Sequence, residues 1–494
     1  MNKQVQMALT DPVQTEFGPV VGEAGEIRIF RGIPFAAAPA GVLRWAPPVP
    51  LKPWRTAREA TQWGYDCPQV YDHKMRSPGI SEDCLTVNIW TPARDDKASL
   101  PVLVWLYGGS FVRGSGSDAR SDGMALAKRG AVVVTFNYRS GLMGFLGHPE
   151  LTKESPNGFS SNYGLLDMIA ALRWIKTNIQ AFGGNSKSVT VFGCSAGSAG
   201  IGLLLVSPLA HGLFDRAILE SPGSFRPLAS LADSEKAGLM LGDDLAAMRG
   251  MTWEQVLARQ PDFIPKMRGL TTPRVLRPIR DGYVIPLDED DAVRSGKFNK
   301  MPILVGSQAD EGTPFIGSWP VKTLDDYRSV VEENFSAKGK VKEALEVYPA
   351  KTEADIKNGL AGMFGDAQFQ YGARRWAREM AAAGQPAYRY VFTRERPGLG
   401  RPPFHSEEVE YVFGEPTLTS NGKYDATDAQ LSGTMMDAWI RFAATGNPNG
   451  AGLPAWPLYD SKGDSYMEFG DKPSVASGFK RDQLDFLDRY FGAV

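Results

Sequence analysis

The feature that most constrains this chain is a series of short apolar runs separated by segments of helical spacing. PVLVWLYGG (101–109), AVVVTFNY (131–138) and SVTVFG (188–193) are too short for core helices and end in glycine or turn residues. Continuous apolar runs of that length suit strands buried on both faces, as in a parallel sheet. Between them, SDGMALAKRG (121–130) and NYGLLDMIAALRWIKTNIQAFGG (162–184) read as helices closed by glycine. This alternation predicts an α/β fold, with a mostly parallel central sheet and helices on both faces. Further strands are predicted at MPILVGS (301–307) and AYRYVFT (387–393), and the stretch from about Thr323 to Ala383 reads as a charged, helix-rich excursion. The part before Trp90 reads as short strands and turns with Pro-rich connections such as WAPPVPLKPW. No linker or repeat interrupts the pattern, so residues 1–494 are expected to form one domain.

Charge and composition remove several function classes. Lys and Arg total 54 against 56 Asp and Glu, a net charge of −2, which gives no reason to propose a nucleic-acid or anionic-membrane partner. No apolar run approaches the ~18 residues of a membrane span. The start, MNKQVQMALTDP, lacks the apolar core of a secretory signal, which predicts a cytoplasmic chain or a processed form. The four histidines (His73, His148, His211, His405) have no zinc-like spacing and no Cys-x-x-Cys occurs, so no metal is expected. Cys67 and Cys84 flank a loop rich in Pro, Gly, Ser and Asp. Their spacing alone leaves a disulfide and two reduced thiols both open.

Gly193-Cys194-Ser195-Ala196-Gly197 matches G-x-S-x-G. The pattern is weak by itself, since a Gly-rich turn with a buried serine would match it. Its context sharpens it: the strand SVTVF precedes it and a small-residue helix start follows, which is the strand–turn–helix elbow an exposed nucleophilic serine needs. Such a serine needs a base, and the base an orienting acid, in the chain order Ser, Asp/Glu, His. His73 and His148 precede Ser195, and His211 leaves little chain for an intervening acid. His405, in the loop RPPFHSEE after a predicted strand, remains. The strand MPILVGS leads to Asp310 and Glu311, either of which suits the acid role. Tyr107-Gly108-Gly109-Ser110 follows an earlier strand, where backbone N–H donors for an oxyanion are expected.

With these pieces in order, the chain resembles the type-B carboxylesterase/cholinesterase family of α/β-hydrolases, in its bacterial para-nitrobenzyl-esterase-like branch. The resemblance runs through RGIPFAAAPAGVLRW, SEDCLTVNIWTP, WLYGGSF, NYRSGLMGFL, VTVFGCSAGS, DEGT, HSEEVEYVFG and WIRFAATGNPN, nearly the whole length. It implies an α/β-hydrolase fold with helical excursions around an active-site gorge. It also implies a triad of Ser195, Glu311 (rather than Asp310) and His405, and an oxyanion hole of Gly109, Ser110 and Ala196. It further implies a Cys67–Cys84 disulfide, an Arg44–Glu82 ion pair and a supporting role for Ser221 beside the acid. A bridge would point to an exported protein whose signal is removed, and reduced thiols to the cytoplasm. Three departures stand out. Ser110 replaces the usual third glycine of the oxyanion loop, and Cys194 replaces a common Glu before the nucleophile. The loop from Cys67 to Cys84 also lacks the Trp that cholinesterases use as a cation–π platform.

The resulting expectation is a serine hydrolase cleaving carboxylic esters through an acyl-enzyme, with a small-molecule ester as partner and no cofactor. The alternatives are the same triad acting on carbamates or amides, and a non-catalytic esterase-like binding module. Arg394, Arg396 and Arg401 crowd the approach to His405, and Arg113 follows the oxyanion loop. They are read either as solvated loop charges or as holders of a carboxylate on the ester.

Overall fold

The computed structural model describes residues 8–492 apart from 71, 73, 266–268, 271 and 415–422. His73, set aside as a base, lies outside the described residues. Ten strands build the main sheet: β1 (Arg28–Pro34), β2 (Thr86–Thr91), β3 (Leu100–Leu106), β4 (Val132–Phe136), β5 (Gly184–Cys194), β6 (Arg216–Glu220), β7 (Ile303–Gln308), β8 (Ala387–Phe392), β9 (Ser465–Phe469) and β10 (Pro473–Ser477). Their order is β10-β9-β8-β7-β6-β5-β3-β4-β2-β1. Neighbours from β9 through β4 run parallel, and the outer pairs are antiparallel. A small separate sheet joins Val13–Gln14, Pro19–Val21 and Arg58–Glu59.

Every residue of β2, β4, β7 and β8 is buried. Successive side chains of a strand point to opposite faces, so both faces of the sheet are covered. That is why these strands read as unbroken apolar runs. Helices α1 (Tyr163–Asn178) and α2 (Ala196–Val206) pack against β5. All eleven residues of α2 are buried, which explains its lack of a polar face. The predicted excursion is α3 (Leu324–Phe335), α4 (Val341–Val347), α5 (Ile356–Gly365) and α6 (Tyr371–Ala382), the last packed on β7 and β8. A π turn, Asp366–Gln370, joins α5 to α6. Helix α7 (Ala426–Thr445) closes over β3 and β5.

Cys67 and Cys84 are bridged, with Cα atoms 5.0 Å apart. Beside the bridge, Arg44 pairs bidentately with Glu82, Nε to Oε1 at 2.7 Å and Nη2 to Oε2 at 2.6 Å. Among the described residues no helix is long and apolar enough to cross a membrane.

Candidate active site

Parallel strands leave all their carboxyl ends on one edge, and ligands of open α/β sheets bind beyond that edge. Here β3 runs into the Tyr107–Ser110 segment, β5 into Ser195, β6 into Ser221, β7 into Glu311, and β8 into the loop bearing His405.

The elbow is tight because its glycines allow close contact with β3. A Cβ at Gly193 would lie 2.6 Å from the Leu106 carbonyl oxygen, and one at Gly197 only 1.9 Å. Ser195 sits at φ 59°, ψ −120°, a backbone region costing about 1–3 kcal/mol for a non-glycine residue. The Ser195 N–H donates to the Glu220 carbonyl at 3.0 Å, which helps hold that conformation. The glycine loop packs directly on the elbow: a Cβ at Gly108 would lie 3.0 Å from the Ser195 Cβ. Gly109 has φ 120° and leaves no room for a side chain, since a Cβ would reach 2.1 Å from the Arg113 carbonyl oxygen. Ser110, Ser195 and Ala196 border one cavity.

His405 Nδ1 donates to Glu311 Oε2 at 2.5 Å. The carboxylate is 1% exposed, and its Oε1 accepts from the Ser221 hydroxyl at 2.6 Å and the Gln308 N–H at 2.7 Å. Asp310 faces elsewhere, accepting from the N–H groups of Gly312 and Thr313 and from the Thr313 hydroxyl. The imidazole packs on a pair of touching phenylalanines, Phe369 at 4.2 Å and Phe315 at 5.0 Å by ring centroids. Its Nε2 is buried and has no hydrogen-bond partner in the structure. Both phenylalanines also border the Ser195 cavity, so the rings that contact the imidazole line the space beside the serine. Of the other histidines, His148 is buried and caps a short helix, and His211 pairs with Asn299 away from the cavity. A larger cavity near Phe35, Trp174 and Tyr283 includes none of Ser195, Glu311 and His405.

Behind the elbow lies a cluster that the sequence did not reveal. Cys194, Glu220 and Glu408 are buried, with one ligating atom from each within 4.8 Å of the others. Burial pushes the Cys194 thiol up, raises Glu220 to about 8 and holds Glu408 well above the carboxylate range, with the neighbouring Glu220 adding to the last. The same burial opposes the deprotonation that a cation would need. Cys194 Sγ lies 3.1 Å from Ser406 Oγ, so the residues beside the elbow serine and beside the histidine bond each other. Cys194 is thus a neutral packing thiol rather than a second nucleophile.

The arginines singled out from sequence are not in the cavity wall. Arg394 is held by Asp425, Asp428 and Asp471. Arg396 bonds Tyr424 and pairs with Glu407 and Glu410. Arg401 pairs with Glu407 and covers the Phe404 ring, and Arg113 is exposed. The wall arginines are instead Arg274 and Arg277, in PRVLRPIR (273–280). Prolines on both sides of the two arginines were the available signal, but nothing in the spacing ties that segment to the elbow.

Comparison with known proteins identifies the family. The model of the carboxylesterase family matches residues 10–487. A fumonisin B1 esterase from Sphingopyxis macrogoltabida is 44% identical over 94% of this chain and 87% of its own length. The para-nitrobenzyl esterase of Bacillus subtilis is 35% identical over 90% of this chain and 92% of its own. An acetylcholinesterase from Bungarus fasciatus is 32% identical over 96% of this chain and 85% of its own. With a match this complete on a parallel sheet of this order, the chain belongs to the carboxylesterase family and is a carboxylic-ester hydrolase.

Proposed function

We propose that the ester is cleaved through an acyl-enzyme on Ser195, with His405 as general base and acid and Glu311 as its orienting carboxylate. The observation that carries this reading is the His405 imidazole. Its Nδ1 is engaged by the buried Glu311 carboxylate, its buried Nε2 has no protein partner, and the two phenylalanines that contact the ring line the space that Ser195 borders. An imidazole fixed in that tautomer presents Nε2 as an acceptor for a hydroxyl proton. Ser195 Oγ attacks the ester carbonyl as Nε2 takes its proton. The oxyanion is held by the backbone N–H groups of Gly109, Ser110 and Ala196, the last at the N-terminus of α2. The imidazolium, stabilised by Glu311, returns the proton to the leaving alcohol. Water then enters by the same route and releases the acid. Phe315 and Phe369 pack together against the ring and limit its contact with water, which strengthens the Glu311 interaction.

The relatives are named for different esters, so the chemistry they support in common is cleavage of the ester bond. Ser195→Ala tests the assignment. It is expected to lower kcat by about 10⁶-fold, leaving only oxyanion and binding effects. A fluorophosphonate should label wild-type protein at Ser195 alone by peptide mass mapping. An adduct on another residue, or turnover that survives the substitution, would overturn the reading.

A further inference from the structure

The wall of the Ser195 cavity carries two cations. Arg274 and Arg277 border it together with Ser195 and Ala196, and among the described lining residues there is no carboxylate. Much of the remaining wall is apolar, including Phe111, Phe315 and Phe369. Arg277 is 9% exposed and its guanidinium sits 5.7 Å from the centre of the Phe111 ring. Arg274 is half-buried and also borders an adjoining cavity, where Ser110 is again a lining residue and the rest is mostly apolar. One arginine therefore touches both spaces next to the reaction centre.

Burying a guanidinium against phenylalanine removes water from it. Glu289, raised to about 7 by burial, is among the groups that sense the charge of Arg277. A guanidinium has five N–H donors in a planar fork, enough to hold a wall contact and a substrate carboxylate at once. In a cleft with low-dielectric walls, such donors favour an anion over a neutral group of equal shape.

We propose that Arg274 and Arg277 form a carboxylate subsite, and that the preferred substrates are esters carrying a free carboxylate on their acyl or alcohol part. The proposal rests on the esterase reading above and names the substrate class of that same site. A competing role is distinguishable: arginines that only stabilised the oxyanion would speed neutral and anionic esters alike.

The test uses two matched pairs followed by chromatography of the product. Ethyl hydrogen glutarate is set against ethyl 5-oxohexanoate, which places the charge on the acyl side. The butyrate ester of 3-hydroxypropanoate is set against that of 4-hydroxybutan-2-one, which places it on the alcohol side. In at least one pair kcat/KM should favour the carboxylate by about 10- to 100-fold, the range of one good charge-assisted contact. In Arg274→Gln and Arg277→Gln that ratio should fall at least about tenfold in one or both, and the Lys variants should keep part of it. A wild-type ratio of one or less in both pairs would overturn the proposal. So would a ratio unchanged in both Gln variants, which is the oxyanion outcome. If the Gln variants do not fold, wild-type protein decides: glutarate should compete with the neutral ester and glutaramide should not, and equal or absent competition overturns the subsite. Hydrolysis of the neutral ester, abolished in Ser195→Ala, tests the reaction separately. If no ester is turned over, that reading fails, and calorimetric titration of the folded Ser195→Ala protein with glutarate still decides the subsite.

Discussion

Replacing Glu311 by glutamine keeps the shape of the side chain but gives it a direction. The Oε1 position receives two donors, the Ser221 hydroxyl and the Gln308 N–H. A hydroxyl can turn to accept, but a backbone N–H cannot, so the amide oxygen is drawn to that side. The amide NH₂ then faces His405 Nδ1, which must accept, and the imidazole proton moves to Nε2, where it blocks removal of the serine proton. Restoring the productive tautomer means turning the amide and leaving the buried Gln308 N–H without an acceptor, at about 1–3 kcal/mol. The loss of a charge-assisted bond to the imidazolium adds about 1.5–3 kcal/mol. Together these lower kcat by about 10² to 10⁴-fold at 1.36 kcal/mol per decade. Asp310→Asn disturbs only the turn to Gly312 and Thr313 and should cost less than about tenfold, because a misset turn acts on the site indirectly. Steady-state kcat on 4-nitrophenyl acetate, with far-UV circular dichroism as a folding control, measures both. The reasoning fails if the ranking is reversed, or if Glu311→Gln keeps more than a tenth of wild-type kcat.

Reduction of Cys67–Cys84 should destabilise the protein by about 3 kcal/mol at most, read as a shift of the urea midpoint. An identical midpoint with both thiols shown to be alkylatable would refute this. The buried acids set a pH dependence of stability. Glu220 titrates near 4.5 when unfolded but keeps its proton to about 8 when folded, so its contribution is full below pH 4.5 and is lost as pH rises toward 8. Glu289, raised to about 7, and Asp66, raised to about 6, act in the same sense over narrower windows. Glu220→Gln, whose carbonyl can still accept from Trp439 Nε1, should therefore flatten the fall of Tm between pH 5 and 8, by up to about 1.4 kcal/mol per pH unit near 25 °C. An unchanged slope would show that Glu220 is already ionised in the folded state.

The strands were legible because the structure buries both faces of the sheet, which writes each of them as an unbroken apolar run. The strand–turn–helix elbow was legible because its glycines answer to local sterics against Leu106, and His405 could be singled out as a candidate because only four histidines compete. What could not be read depends on residues far apart in sequence. Arg394 looked like a site residue, yet its partners are Asp425, Asp428 and Asp471, at least 31 positions away. The π turn that carries Phe369 to the imidazole is a tertiary adjustment without a propensity signal. Glu220 ends a strand whose preceding three residues are apolar, and its burial beside Glu408 appears only once β6 and the segment after His405 are packed together.

The carboxyl edge of the sheet delivers four of the five pieces of the site within four residues of a strand end. His405 is different, because twelve residues separate it from the end of β8. Its loop is moored by the Asp310 N–H donating to the Pro403 carbonyl at 3.1 Å and by the contact between Cys194 and Ser406. Four pieces thus share the stiffness of a hydrogen-bonded lattice, and the proposed base rides on a tether. Gentle heating should slip that tether first. Activity would fade while the far-UV spectrum still reads as native, and it would return on cooling, since nothing in the lattice has come undone.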